Sequence, residues 1–250
     1  MGREMKPRRE KAHFVISCHA DTGFRTHRLR RTEGICAGHL DNFAGVHAVM
    51  NAYFSGKMDV PCLRIELTYG EETDMEGAAE VLRTLSASDV VVVVDVTGTP
   101  TSCDITIEKC ASPSLQSFVK VALEGMSYEL HADCPDPVAD EDECDVYAEK
   151  IQNVFFLGIP CRGGDYNSGE VSCSVASISA ATEALIRLSS AFNTSYLQQT
   201  AQPSPGRGSA SGPDQRGRVT ASGSAGVAAA AATGSPNVRR GVGRTERNGK

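Results

Sequence analysis

Short apolar runs alternate along this chain with longer stretches in which apolar residues return every three or four positions. The runs are "HFVISC", "CLRIELTYG", "VVVVVDV", "DITIEKC" and "NVFFLGIP", rich in β-branched residues and ending in Gly, Pro or polar positions, which is the signature of strands. Val90 to Val94 show no alternation at all, as expected of a strand covered on both faces. Between the runs, "NFAGVHAVMNAYFS", "MEGAAEVLRTLSA", "SLQSFVKVALEG" and "VSCSVASISAATEALIRLSSAF" carry helical periodicity. Strand-then-helix order over this length predicts an α/β fold, a three-layer α/β/α sandwich around a mixed, largely parallel sheet. In such sheets ligands gather beyond the carboxyl ends of the strands.

The pattern stops near Gln199. Beyond it the chain is Gly, Ser, Ala and Arg with almost no large apolar residue, too little to offset the entropy of ordering. The expected organisation is a basic segment at 1–11, one folded domain at 12–195 and a disordered tail at 196–250. From Ala201 onward eight Lys or Arg face only Asp214 and Glu246, so the first 200 residues are more acidic than the whole chain's formal −6. An acidic domain with few aromatics and no basic stripe argues against nucleic-acid binding by the folded part. No apolar run of about 18 residues suggests a membrane span, and the basic start lacks the apolar stretch of a secretory signal. Nine cysteines, an odd number with no C-x-x-C pair, point to reduced thiols in a cytoplasmic protein and away from cysteine-held zinc.

Polar residues collect at the strand ends. "HFVIS" leads into "CHADTGF", with His19 and Asp21; "GHLDNFAG" sets Asp41 before a helix; "IELTYGEE" ends in Glu71 and Glu72; the valine run ends in Asp95. Adjacent glutamates repel unless a positive group separates them or each has its own partner. One imidazole with several carboxylates is a ligand set for zinc or a similar divalent ion, Co2+ and Mn2+ included. Asp41 can bridge two ions with its two oxygens. Asp21, two residues after His19, can hold the ring nitrogen that faces away from a metal. Of the glutamates, one can bind metal while the other takes a proton from water.

The order H-x-D, D-N, E-E, D resembles the co-catalytic zinc aminopeptidases and their deacylase and carboxypeptidase relatives. "GHLDNFAGVHAV", "TYGEETDMEGA" and "VVVDVTGTP" are most similar to the glutamyl-aminopeptidase-type members, over roughly Ala12 to Leu188. The resemblance implies a first ion on His19, Asp41 and Asp95, a second on Asp41 and Glu72, and Glu71 as general base. It also implies a cis peptide at Asp41–Asn42. Two departures stand out. The family closes its second metal site with a histidine, and the matching slot in "GIPCRGGDYNSGEVSCSV" holds Asn167, whose amide is a far poorer zinc ligand; Asp165 and Glu170 are the nearest substitutes. The interval from Asp41 to Glu71 is too short for the inserted lid or dimerisation domain of larger relatives. Asp145 is assigned a supporting role. The expected function is metal-dependent hydrolysis of peptide or N-acyl amide bonds, by an aminopeptidase acting on peptide or acyl-amino-acid substrates. The alternative is an impaired relative that serves as a binding or assembly module.

Simpler roles compete at several positions. Glu71 and Glu72 would be favourable charges if a helix begins there, and Asp41 is a candidate N-cap. Cys18 reads as a packing residue, and the acidic run from Asp140 to Asp145 as solvated surface. "RTHRLRR" reads as a solvated hairpin or, alternatively, a binding site for a substrate carboxylate. His13, His27, His39, His47 and His131 fit no ligand position.

Overall fold

A computed structural model describes residues 11–201 apart from Asp59 and Asp140, with side chains described as far as Phe192. Residues 1–10 of the expected basic segment at 1–11, and residues 202–250 of the expected tail at 196–250, lie outside the described residues.

The central sheet is built from β1 (Phe14–His19), β4 (Leu63–Thr68), β5 (Val90–Thr97) and β8 (Asn153–Arg162). β1 lies between β4 and β5, β5 pairs with β8, and all these pairs are parallel. The carboxyl ends of β1, β4 and β5 therefore come to one edge, with His19 level with Thr68. β6 (Ile105–Glu108) runs antiparallel to β8 and carries β7 (Tyr128–Leu130) beside it. A smaller antiparallel group, β2 (Leu29–Thr32), β3 (Ile35–Gly38) and β9 (Val171–Ser174), joins the far end of β8.

The period of two along each strand divides the core into two layers. Phe14, Ile16, Val90, Val92, Val94, Phe155 and Leu157 face one side, under α1 (Phe43–Phe54), α3 (Pro113–Ala122) and α5 (Val175–Ala201). Val15, Val91, Val93 and Phe156 face the other, under α2 (Glu76–Thr84) and α4 (Glu143–Ala148). The unbroken valine run is thus the strand with a helical layer on each side, and each buried valine contributes on the order of 1.5–3 kcal/mol. No described helix is long and apolar enough to cross a membrane.

Several local expectations are corrected. "VSCS" forms strand β9 before the last helix begins, because Val171 and Cys173 alternate inward while Ser172 and Ser174 do not. α5 runs from Val175 to Ala201. The arginine cluster does form a hairpin strand, β2, with all four residues exposed. The acidic run is not simply solvated. Asp142 caps α4 through a capping box with Asp145, and Glu143 is only 1% exposed.

Candidate metal centre

The turn after β4 sets the two glutamates. Gly70 takes φ 74° and its carbonyl accepts from the amides of Thr73, Asp74 and Met75, while the Gly77 amide returns to the Tyr69 carbonyl at 2.9 Å. A Cβ on Gly77 would stand 2.5 Å from the Tyr69 nitrogen, so only glycine lets the helix lie this close to the strand end. Helix α2 begins at Glu76, with Met75 as its N-cap. Glu71 and Glu72 are therefore turn residues over the sheet edge, not the first-turn acids of a helix; Glu76 fills that place.

Asp41 is likewise free of capping duty. The N-cap of α1 is Asn42, whose side chain accepts from the Gly45 amide at 2.9 Å and donates to the Val94 carbonyl at 2.8 Å and to Cys18 Sγ at 3.4 Å. Asn42 thus ties the start of α1 to β1 and β5, and the Asp41–Asn42 peptide is cis. Cys18 is buried in this brace.

Around this frame the strand-end residues converge. His19 Nε2 lies 2.9 Å from Asp95 Oδ2, 3.1 Å from Asp41 Oδ1 and 4.0 Å from Glu71 Oε2. Its other nitrogen, Nδ1, faces Asp21 Oδ1 at 3.5 Å. Two sets of ligand atoms fall within 4.8 Å of one another: His19, Asp41 and Asp95, and His19, Glu71 and Glu72. His19 and Asp41 are 1% and 3% exposed.

So many carboxylates around one imidazole disturb every group. Burial opposes the charged imidazole of His19, but the Asp95 and Asp41 carboxylates outweigh it and push its pKa up to about 12. Burial, reinforced by the charge of Asp95, raises Glu71 to about 8. Burial also raises Asp95, against the pull of His19, and raises Glu72. Glu72 Oε1 is buried without a hydrogen-bond partner, and Asp41 Oδ1, 3.1 Å from His19 Nε2, makes no well-formed hydrogen bond, a costly condition that a cation would relieve. Imidazole plus carboxylate oxygens is a donor set that fits zinc, Co2+ or Mn2+.

The remaining sequence candidates separate. Asn167 lines the same cavity, of about 460 Å³, but is exposed on the loop between β8 and β9 and belongs to neither ligand set. Neither proposed substitute lines the cavity. Asp165 accepts from the Asn167 amide and the Ser168 hydroxyl, each at 2.9 Å, and Glu170 pairs with Arg28 and Arg30 of the hairpin region. Asp145 is also elsewhere, accepting from Lys109 Nζ at 2.7 Å.

Residues that were not singled out build the opposite wall. Glu108, 1% exposed, accepts from the hydroxyls of Thr97, Thr99 and Thr106. Asp136 accepts from the Gly98 amide at 2.6 Å and from Tyr166 OH at 2.8 Å. Glu108 ends β6, which runs antiparallel to β8, so the rule for carboxyl ends of parallel strands does not reach it, and nothing in the sequence around Asp136 marks that residue. Behind the site, Ser17 donates to buried Glu143 at 2.8 Å and meets Tyr147 OH at 2.8 Å.

No family model and no curated protein matches this sequence. Solved structures do match the fold. A TET aminopeptidase from the marine sediment archaeon Thaumarchaeota archaeon SCGC AB-539-E09 aligns with TM-score 0.56 at 14% identity, over 69% of this chain and 54% of that one. The structure named prApe1 aligns with TM-score 0.54 at 11% identity, over 70% and 48%. Aminopeptidase APDkam598 from the archaeon Desulfurococcus kamchatkensis gives 0.51 at 14%, over 64% and 50%. The chain spans about half the length of these proteins, and at this identity the likeness is one of fold: that of aminopeptidases.

Proposed function

We propose that this chain is a metal-dependent hydrolase of peptide or N-acyl amide bonds, most consistent with an aminopeptidase. One observation carries the reading: three carboxylates from separate strand ends and turns lie within 4.0 Å of a single buried imidazole nitrogen, at the floor of an open cavity. His19, Asp41 and Asp95 would hold one divalent ion, with Glu72 and Asp41 available to a second. A loaded site supplies Lewis acidity, bringing the pKa of water towards about 7 and polarising a scissile carbonyl.

The protein's own groups do the rest. Asp21 Oδ1 stands 3.5 Å from His19 Nδ1, on the side of the ring away from the other carboxylates, and would orient the ring from there. Glu71 lines the cavity with Oε2 4.0 Å from His19 Nε2, where its carboxylate would take a proton from water and deliver it to the departing amine.

The rival reading, an impaired homologue that binds without cleaving, draws its support from Asn167, which stands exposed at the cavity where the resemblance calls for a histidine. A panel of free and N-acylated aminoacyl amides, assayed on zinc-loaded wild type and Glu71→Gln, tests the proposal. Wild type should cleave free aminoacyl amides, and Glu71→Gln should lose about 10²–10⁴-fold in kcat while keeping its metal. Metal-loaded wild type that cleaves no amide would favour the binding module. Cleavage of the acylated amides alone would make the enzyme a deacylase.

A further inference from the structure

Three cysteines stand side by side across three strands. Cys173 on β9 is the register partner of Cys36 on β3 and of Cys161 on β8, and both pairings are antiparallel. Residues directly opposite in such a pair point to the same face, with Cα atoms about 4.5–5.5 Å apart. A disulfide needs a Cα separation of about 4.4–6.8 Å, so the sheet itself sets Cys173 within bonding reach of either neighbour. Among the described strand pairs, no other cysteine faces a second. All nine cysteines are free. Cys161 and Cys173 lie in the core layer under α1, α3 and α5, and Cys36 is partly buried against it. Burial alone would make such thiols inert packing groups. Two observations set one pair apart. The thiols of Cys161 and Cys173 are hydrogen-bonded to each other, which holds Cys173 below the ordinary thiol pKa against the opposing effect of burial. The pair is also open to small molecules: Cys173 borders a surface cavity of about 240 Å³ and Cys161 one of about 420 Å³, each roomy enough for an oxidant little larger than water. Between the two cysteines run residues 162–172, the connection that brings Tyr166 and Asn167 to the metal-centre cavity.

We propose that Cys161 and Cys173 are a peroxide-oxidised pair whose reversible disulfide clamps the base of the connection carrying Tyr166 and Asn167. The Cys173 thiolate attacks hydrogen peroxide; an S–O bond forms, the O–O bond breaks, and hydroxide leaves to be protonated as water. The Cys161 sulfur then attacks the sulfenic sulfur of Cys173. An S–S bond forms, the S–O bond breaks, and the departing hydroxide takes the Cys161 proton as a second water. Two thiols thus give up two electrons and two protons to one peroxide, which ends as two waters. A dithiol reductant reverses the step by thiol–disulfide exchange. Cys36, the other register partner of Cys173, is left reduced, because its thiol is not the one hydrogen-bonded to Cys173. The clamp requires neither a metal at the centre nor hydrolase activity.

The full chain would be treated with hydrogen peroxide, its remaining thiols blocked with N-ethylmaleimide, and its linked peptides identified by mass spectrometry before and after dithiothreitol. Cys161–Cys173 should be the dominant linkage and should vanish on reduction. Cys161→Ala and Cys173→Ala should each abolish it, and Cys36→Ser should leave it in place. The oxidised wild type should melt about 5 °C or more above the reduced protein, the scale of closing a short loop by a disulfide. Cys161→Ala treated in parallel should show no such rise. The linkage is read on the wild type, so the proposal stays testable even if a variant fails to fold. Peroxide treatment that leaves Cys161 and Cys173 unlinked would overturn the proposal. So would a dominant Cys36–Cys173 linkage, or Cys173 ending as sulfinic acid with Cys161 still free. A Cys161–Cys173 linkage that leaves Tm unchanged would overturn the clamp.

Discussion

The two walls of the cavity are built on different principles. On one side, His19 and Asp95 end or nearly end parallel neighbours β1 and β5, and Asp41 sits at the start of a helix that Asn42 pins to Val94 and Cys18. All three side chains are buried, and the two carboxylates share one imidazole nitrogen. On the other side, Asn167 rides an exposed loop that turns through Gly163 and Gly164 at φ 104° and 149°, anchored to the cavity mainly by Tyr166 on Asp136. Buried charge in a fixed frame is expensive unless a cation compensates it. An exposed loop carries no such demand and tolerates change. Asn167 thus stands on the part of the cavity most open to change, while His19, Asp41 and Asp95 stand in the part that is fixed.

Substitutions should separate the walls, and the largest effect belongs to the buried one. Asp95→Ala should lower metal affinity by more than about 100-fold, the scale reached when even a hydrogen-bond partner of a ligand is removed. Asn167→Ala should change it less than about threefold. Equal losses, read by competition with a chelator, would erase the distinction between the walls.

A smaller effect concerns the protein stripped of metal. His19, Glu71 and Asp95 all have folded pKa values above their ordinary ones, with Glu71 at about 8 and His19 at about 12. A raised folded pKa gives stability that is complete below the unfolded value and is lost as pH climbs through the folded one. The carboxyls lose theirs by about pH 8–9, and His19 begins to lose its share above its unfolded value near 6.5. The Tm of the stripped protein should therefore fall between pH 5 and pH 9, by about 2–4 °C for each kcal/mol lost, and zinc at pH 8.5 should restore it. A Tm that rises over this window would contradict the crowding of carboxylates around His19.

What was legible in the sequence follows from what repeats. The valine run of β5 and the apolar runs of β1, β4 and β8 needed only period and composition, and they carry the sheet that orders His19, Asp41, Glu71, Glu72 and Asp95 along one edge. "VSCSV" was ambiguous, since Val171 and Val175 suit a helical face while Val171 and Cys173 suit a strand; pairing with β3 and β8 decides for the strand. β2 is wholly exposed, so no apolar pattern marked it. Glu143 looked like surface because its run is acidic, and only the approach of Ser17 and Tyr147 from other elements makes its burial tolerable. Asp136 and Tyr166, 30 residues apart, meet through loop geometry that no local pattern encodes.

The most direct test of the central claim is metal stoichiometry. Wild type and Asn167→His would be loaded with zinc, desalted and analysed for metal per chain. A retained ion near one per chain in wild type, rising towards two in Asn167→His, is the result this account predicts. Wild type that keeps no metal would contradict it, because the carboxylates around His19 would then be stable without the cation that their burial and crowding call for.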